Sequence, residues 1–64
     1  MNKKMQSLRT KILETLMDNE NGLNFYQLWN KVGGKKKDIL NLLNDLIETP
    51  LVILREDRFV FALK

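Results

Sequence analysis

Two short helices are predicted by the stretch LNFYQLWNKVGGKKKDIL, which occupies residues 23–40 of the chain. Asn24 can cap the first helix, because its side-chain oxygen accepts a hydrogen bond from a backbone N–H group that has no partner within the helix. Gln27 stands three residues later, at the position that completes a capping box. Gly33 is placed to end this helix, since glycine tolerates the left-handed conformation that commonly follows a helix. We therefore expect a helix over residues 25–32.

A longer helix is predicted on each side of this one. The first covers about residues 3–18, where apolar side chains recur at steps of three and four: Met5, Leu8, Ile12, Leu13, Leu16 and Met17. The other begins near Lys35 and has a broad apolar face made by Ile39, Leu40, Leu42, Leu43, Leu46 and Ile47. It ends at Thr49 and Pro50, because a residue that precedes proline avoids helical angles.

The C-terminal segment is predicted to form a β-hairpin. Residues 51–54 and 59–63 are short, apolar and rich in β-prone side chains, and the four charged residues 55–58 between them are expected to form the turn. Phe59, Phe61 and Leu63 would then share one face of the second strand. An isolated hairpin is only marginally stable in water, so it must pack on the helices. The expected fold is mainly α-helical with a small β-hairpin.

Length and composition limit the possible functions. The chain has 64 residues, which is enough for one domain, here residues 1–64, and it contains neither cysteine nor histidine. It therefore lacks disulfides and the usual zinc ligands, and we expect no enzyme activity, metal or cofactor. The longest uncharged apolar stretch, residues 51–54, is far too short to span a bilayer, and no signal peptide is recognisable. These features favour a cytoplasmic protein.

The order helix, helix-turn-helix, hairpin resembles the winged helix-turn-helix superfamily over nearly the whole chain. The resemblance is carried by Gly33-Gly34, by Leu43 and Leu46, by Leu51-Val52 and by Arg58-Phe59-Val60. Leu23 would supply the short extra strand that such domains often place between their first two helices. The layout is also similar to the N-terminal winged-helix module of ribonuclease R-type exonucleases and to many small regulators. The resemblance implies that the third helix enters the major groove of double-stranded DNA.

Three consecutive lysines, Lys35, Lys36 and Lys37, form a lysine cluster where the third helix is predicted to begin. The start of a helix carries partial positive charge, so an exposed cation there costs about 0.3–1 kcal/mol. Only Asp38 offsets the charge of the three lysines. A local sequence that lowers stability in this way is common at functional sites. The cluster and the free N–H groups of the helix would attract phosphate. A solvated, lysine-rich turn without a ligand is the alternative interpretation.

Two further groups of polar residues are candidates for nucleic-acid contact. Asn41 and Asn44 share a helical stripe with Lys37, and asparagine can pair with adenine in the major groove. Arg55 and Arg58 flank the tip of the hairpin, which winged-helix domains often use as a second contact, although Glu56 and Asp57 cancel their charge. Each group also has a simpler interpretation, as the polar side of a helix or as a charged turn that discourages aggregation.

The N-terminal segment carries four more basic residues, Lys3, Lys4, Arg9 and Lys11. They form either an arm that binds the nucleic-acid backbone or a solvated end of the chain.

Most aromatic side chains are predicted to lie in the core, namely Phe25, Trp29 and one phenylalanine of the hairpin, whereas Tyr26 is expected to be exposed. The apolar face of the third helix is wider than a small core needs, so Leu40 is also expected to be exposed. The same holds for a hairpin face that comprises Val52, Leu54 and Val60.

The leading hypothesis is a double-stranded DNA-binding module, either a small transcriptional regulator or the targeting domain of a larger protein. The alternatives are a winged helix that binds a protein partner or forms a homodimer through the hairpin and Leu40, and an RNA-binding module of a nuclease or translation factor.

Overall fold

The computed structural model describes residues 3–62 and contains three helices followed by one antiparallel hairpin. The helices are α1 (Lys3–Met17), α2 (Phe25–Val32) and α3 (Lys36–Glu48), and the strands are β1 (Val52–Arg55) and β2 (Arg58–Phe61). This confirms the expected mainly helical fold with a small hairpin, and the helix bounds are close to those predicted. Leu63, expected to share one face of the second strand with Phe59 and Phe61, lies outside the described residues.

Local signals at its two ends define α2. The Asn24 side chain accepts a hydrogen bond from the Gln27 N–H at 2.8 Å, and the Gln27 side chain accepts one from the Asn24 N–H at 3.1 Å. This is the predicted capping box. Gly33 follows the helix with a φ of 81°, and its N–H donates to the Trp29 carbonyl at 2.7 Å. Both ends of α2 are therefore fixed by the residues that the sequence indicated.

The core lies where the three helices and the hairpin converge. Ten apolar side chains are buried in one cluster: Ile12, Leu16, Leu23, Leu28, Val32, Ile39, Leu42, Leu43, Leu46 and Val52. Burial of one such aliphatic side chain contributes about 1.5–3 kcal/mol relative to exposure, so these contacts supply most of the stabilisation of a chain without cross-links. Leu40 remains 43% exposed, which confirms that the apolar face of α3 is wider than the core.

The turn of the hairpin is shorter than the sequence suggested. Arg55 pairs with Arg58 as the last rung of the ladder, so only Glu56 and Asp57 connect the strands. Both connecting residues have positive φ, 48° and 68°, as in the mirror-image turns that match the twist of paired strands. The prediction of a four-residue turn over residues 55–58 is therefore wrong, because both arginines belong to the strands.

The strand register also corrects the predicted exposed face. Val52 and Leu54 lie on the same side of β1, and Val60 lies on the opposite side of the hairpin because it pairs with Ile53. Val52 is fully buried against the helices, so its predicted exposure is wrong. Leu54, two residues nearer the turn, is 55% exposed, and Val60 is half-buried. Ile53, which the sequence did not single out, is 46% exposed.

Leu23 forms an isolated antiparallel bridge with Phe59. The bridge lies on the side of β2 opposite to β1, because β2 pairs with both. The bridge stands where the short extra strand was expected between α1 and α2, but it is a single residue pair and not a strand. It attaches the hairpin to the helical part of the protein.

Candidate nucleic-acid interface

The lysine cluster is exposed at the beginning of α3. Lys35 is the N-cap residue, with an extended backbone (φ −84°, ψ 139°) and no hydrogen bond from its side chain to the helix. Lys36 and Lys37 form the first turn, and all three side chains are open to solvent. Within residues 3–62, none of the three lysines forms a salt bridge, because no carboxylate lies within 4.0 Å of their ammonium groups. The salt bridge found in this part of the chain joins Arg9 to Asp45. The cluster is thus positive and available to an anion.

Lys36 connects the cluster to the start of α2. Its Nζ atom lies over the Phe25 ring, 6.0 Å from the ring centroid, a distance at which a cation and an aromatic face still attract each other. The beginnings of α2 and α3 are therefore neighbours in space. Positive charge and aromatic surface meet at this point.

The predicted stripe on α3 is exposed along its length. Asn41 and Asn44 are both open to solvent, as is Lys37, and Leu40 lies among them. Further along the helix, Asp45 lies 4.0 Å from Arg9 of α1, so part of its charge is offset. The stripe thus changes from basic and amide side chains, as far as Asn44, to acidic ones near the end of α3.

Arg55 and Arg58 form a separate group at the hairpin tip. They lie directly opposite each other on the two strands, and both are exposed. The concavity beside them is lined by Glu20 and Asn21 of the segment between α1 and α2, and by Glu56 of the turn. Two acidic residues, Glu20 and Glu56, therefore share this concavity with the arginines, and the lysine cluster does not line it.

The basic N-terminal residues are part of α1. Lys3 and Lys4 lie in its first turn and Lys11 in its middle, all exposed, and Arg9 reaches Asp45. The described part of this segment is helical from Lys3 onward, so these lysines are carried on the helix surface.

A shallow aromatic groove on the outer side of α2 is a feature that the sequence did not reveal. It is lined by Tyr26, Gln27, Trp29, Asn30 and Gly33. Tyr26 is 67% exposed, as expected, whereas Phe25 and Trp29 are half-buried at the edge of the core rather than inside it. Positions 26, 29, 30 and 33 are spaced to lie on one side of α2 and its C-cap, and this spacing is the signal that could have indicated the groove. Both hairpin phenylalanines, Phe59 and Phe61, pack against the core in the same partial way.

No protein-family model matches the chain, and no curated protein or solved structure is significantly similar to it. Among the helices of residues 3–62, none has the length and apolar character that crossing a membrane requires. In the same part of the chain, no group of three acidic, histidine or cysteine side chains is placed to hold a metal ion.

Proposed function

We propose that the chain is a small double-stranded DNA-binding module that contacts the duplex with the beginning of α3. The observation that carries this proposal is the lysine cluster: three exposed cations without an acidic partner within residues 3–62, at a helix end that disfavours positive charge. Free backbone N–H groups at the same helix end add to the attraction for phosphate. The resemblance of the helix and hairpin order to the winged helix-turn-helix superfamily supports the same role.

The exposed stripe of α3 supports a contact that extends beyond phosphate. An α-helix fits the major groove, where an asparagine can pair with adenine and a lysine can contact guanine. Asn41 and Asn44 continue the stripe that begins at Lys37, so they are the candidate base-reading residues. Asp45 and Glu48 follow them, which restricts close approach to the part of α3 that precedes Asp45. A cytoplasmic location, as the sequence favours, is compatible with this role.

A duplex titration at several salt concentrations tests the proposal. The logarithm of the binding constant is expected to fall linearly with the logarithm of salt concentration, with a slope of about −0.9 per phosphate contact. Changing Lys35, Lys36 and Lys37 together to glutamine should flatten this slope. The matched control changes Lys3, Lys4 and Lys11 to glutamine, which removes the same charge from the surface of α1. Equal effects of the two triple variants, or no duplex binding at low salt, would refute the proposal.

The hairpin favours a second candidate function, docking to a protein. Ile53 and Leu54 are 46% and 55% exposed on β1, which has a paired strand on one side only. Exposed edge strands with apolar side chains are ready to pair with another chain. Sedimentation over a range of protein concentrations tests the homodimer form of this function, and a monomer at every concentration excludes that form.

Competition between duplex DNA and structured RNA separates DNA binding from the RNA-binding alternative.

A further inference from the structure

We infer that the aromatic groove on α2 is a stacking site for unpaired bases, so that the protein binds single-stranded nucleic acid with the strand backbone along the lysine cluster. The inference rests on the proposed function in one respect, because it uses the same lysines to hold phosphate. The inference differs from the proposed function in the form of the ligand. The bases of a DNA duplex are stacked on each other and cannot stack on an aromatic side chain of the protein.

The groove offers flat aromatic surface to solvent. Tyr26 is 67% exposed, and Trp29 forms part of the same lining. Between them and Gly33 the surface is open, because an added Cβ atom at Gly33 would meet nothing within 4 Å. Single-strand-binding proteins combine aromatic faces of this kind with a positively charged path for the backbone.

The rings of the groove are held in place before any ligand arrives. Trp29 Nε1 donates a hydrogen bond to the Gly34 carbonyl at 2.8 Å, which fixes the indole against the turn between α2 and α3. The Phe25 ring centroid lies 5.7 Å from that of Tyr26, in an edge-to-face arrangement, and 5.8 Å from that of Trp29. Side chains that are already ordered lose little conformational entropy on binding, which favours a stacked ligand.

Charge complementarity identifies the ligand as a polyanion. Lys36 Nζ lies 6.0 Å from the centroid of the Phe25 ring, and that ring contacts both Tyr26 and Trp29. Lys35 directly follows Gly34, the residue that accepts the indole hydrogen bond. The five residues that line the groove include no carboxylate, and the amides of Gln27 and Asn30 can donate to or accept from base edges. A phosphate held by the lysines therefore leaves its base within reach of the rings.

Fluorescence of the intact chain provides a direct measurement, because Trp29 is its only tryptophan. The protein is titrated with oligo(dT), with oligo(rU), and with an abasic deoxyribose-phosphate strand of the same length. Stacking should quench Trp29 emission with either base-bearing strand, and the two arms distinguish DNA from RNA. The abasic strand should bind about tenfold or more weakly and without quenching. Equal affinity and equal quenching with the abasic strand would overturn the inference.

Variants at Tyr26 give a second, independent test. Tyr26→Ala should weaken oligo(dT) binding by about tenfold, whereas Tyr26→Phe, which keeps the aromatic face, should stay within about twofold of the parent chain. Met17→Ala is the matched control, because Met17 is a comparably exposed apolar side chain on α1. If Tyr26→Ala fails to fold, the comparison of base-bearing and abasic strands on the parent chain still decides the question.

The outcomes separate this inference from the proposed function. Duplex binding that depends on the lysine cluster but not on Tyr26, with no quenching by single strands, would overturn the inference and leave the proposed function intact. Quenching by single strands without duplex binding would support the inference and refute the duplex proposal. If no nucleic acid quenches Trp29 emission, the inference is overturned. Quenching by a protein partner would then favour protein docking.

Discussion

Leu23 and Phe59 exchange two backbone hydrogen bonds, in which the Leu23 N–H donates to the Phe59 carbonyl at 3.1 Å and the Phe59 N–H donates to the Leu23 carbonyl at 2.8 Å. This reciprocal pair joins the segment between α1 and α2 to the inner strand of the hairpin. A two-stranded hairpin is marginal by itself, so its position depends on such attachments and on the burial of Val52.

Gly22→Ala is expected to disrupt this attachment and to lower the free energy of unfolding by about 2 kcal/mol or more. Gly22 has a φ of +84°, which disfavours any side chain, and an added Cβ would lie 2.8 Å from both the Phe59 carbonyl oxygen and a Val60 methyl group. Since the neighbouring oxygen belongs to the backbone, it cannot move without breaking the bridge. Thermal unfolding followed by circular dichroism measures the loss, at roughly 4–8 °C per kcal/mol for a domain of this size.

Gly34→Ala is the control for that substitution. Gly34 has a similar φ of +86°, but its added Cβ would meet only the flexible end of the Leu8 side chain, at 3.2 Å. The control should therefore show the conformational cost, about 1–2 kcal/mol, together with a small shift of the Leu8 side chain and no contact with backbone. Equal losses in the two variants would show that the contact with Phe59 has no energetic role.

The turn of the hairpin is expected to become more stable when Glu56 and Asp57 are replaced by asparagine and glycine. Both residues have positive φ, 48° and 68°, a conformation that costs most residues about 1–2 kcal/mol and that Asn-Gly adopts readily. The double variant Glu56→Asn/Asp57→Gly should raise the free energy of unfolding by about 1–2 kcal/mol in a urea titration. The control Glu56→Gln/Asp57→Ser removes the same charges without a preference for positive φ, and an equal gain there would attribute the effect to charge.

Residues 55–58 also show why part of the hairpin could not be predicted from the sequence. The four charged side chains lack the Asn-Gly or Asp-Gly pair that indicates a two-residue turn, so they suggest a longer loop. The actual register brings two arginines opposite each other, a pairing that is unfavourable by itself. Tertiary packing selects this register, because it places Val52 in the core and gives Phe59 its partner Leu23.

The helices were predictable because their signals are local. The capping residues of α2, the apolar spacing of α1 and the proline after α3 each act within one or two turns. The aromatic groove depends instead on how much of its apolar side-chain surface a domain of 64 residues can bury. Trp29 has the spacing of a core residue, but the core is filled by smaller aliphatic side chains, so the indole remains at its edge.

Removal of the α2 cap is expected to lower stability in a graded way. Asn24→Ala loses the 2.8 Å hydrogen bond to the Gln27 N–H and should cost about 1 kcal/mol. Asn24→Asp retains the acceptor and adds a negative charge that the helix start favours, so it should match or exceed the parent chain. Urea denaturation of the three proteins tests this order, and an alanine variant as stable as the parent would contradict the role of the cap.

Lys35 is expected to show opposite effects on stability and on DNA binding. It occupies the N-cap of α3 with the extended backbone of a cap residue, but its side chain makes no cap hydrogen bond. Lys35→Ser supplies the missing acceptor and should raise the free energy of unfolding by about 1 kcal/mol. The same change removes a phosphate-binding cation, so the slope of the salt dependence should become less steep by about 0.9.

Lys35→Gln separates the two effects, because glutamine removes the charge and is a poorer cap than serine. Its affinity for duplex DNA should fall as in Lys35→Ser, while its gain in stability should be limited to the relief of helix-dipole repulsion, about 0.3–1 kcal/mol. If serine stabilises the protein and leaves the salt dependence of duplex binding unchanged, Lys35 makes no phosphate contact, and any contact by the cluster must come from Lys36 and Lys37.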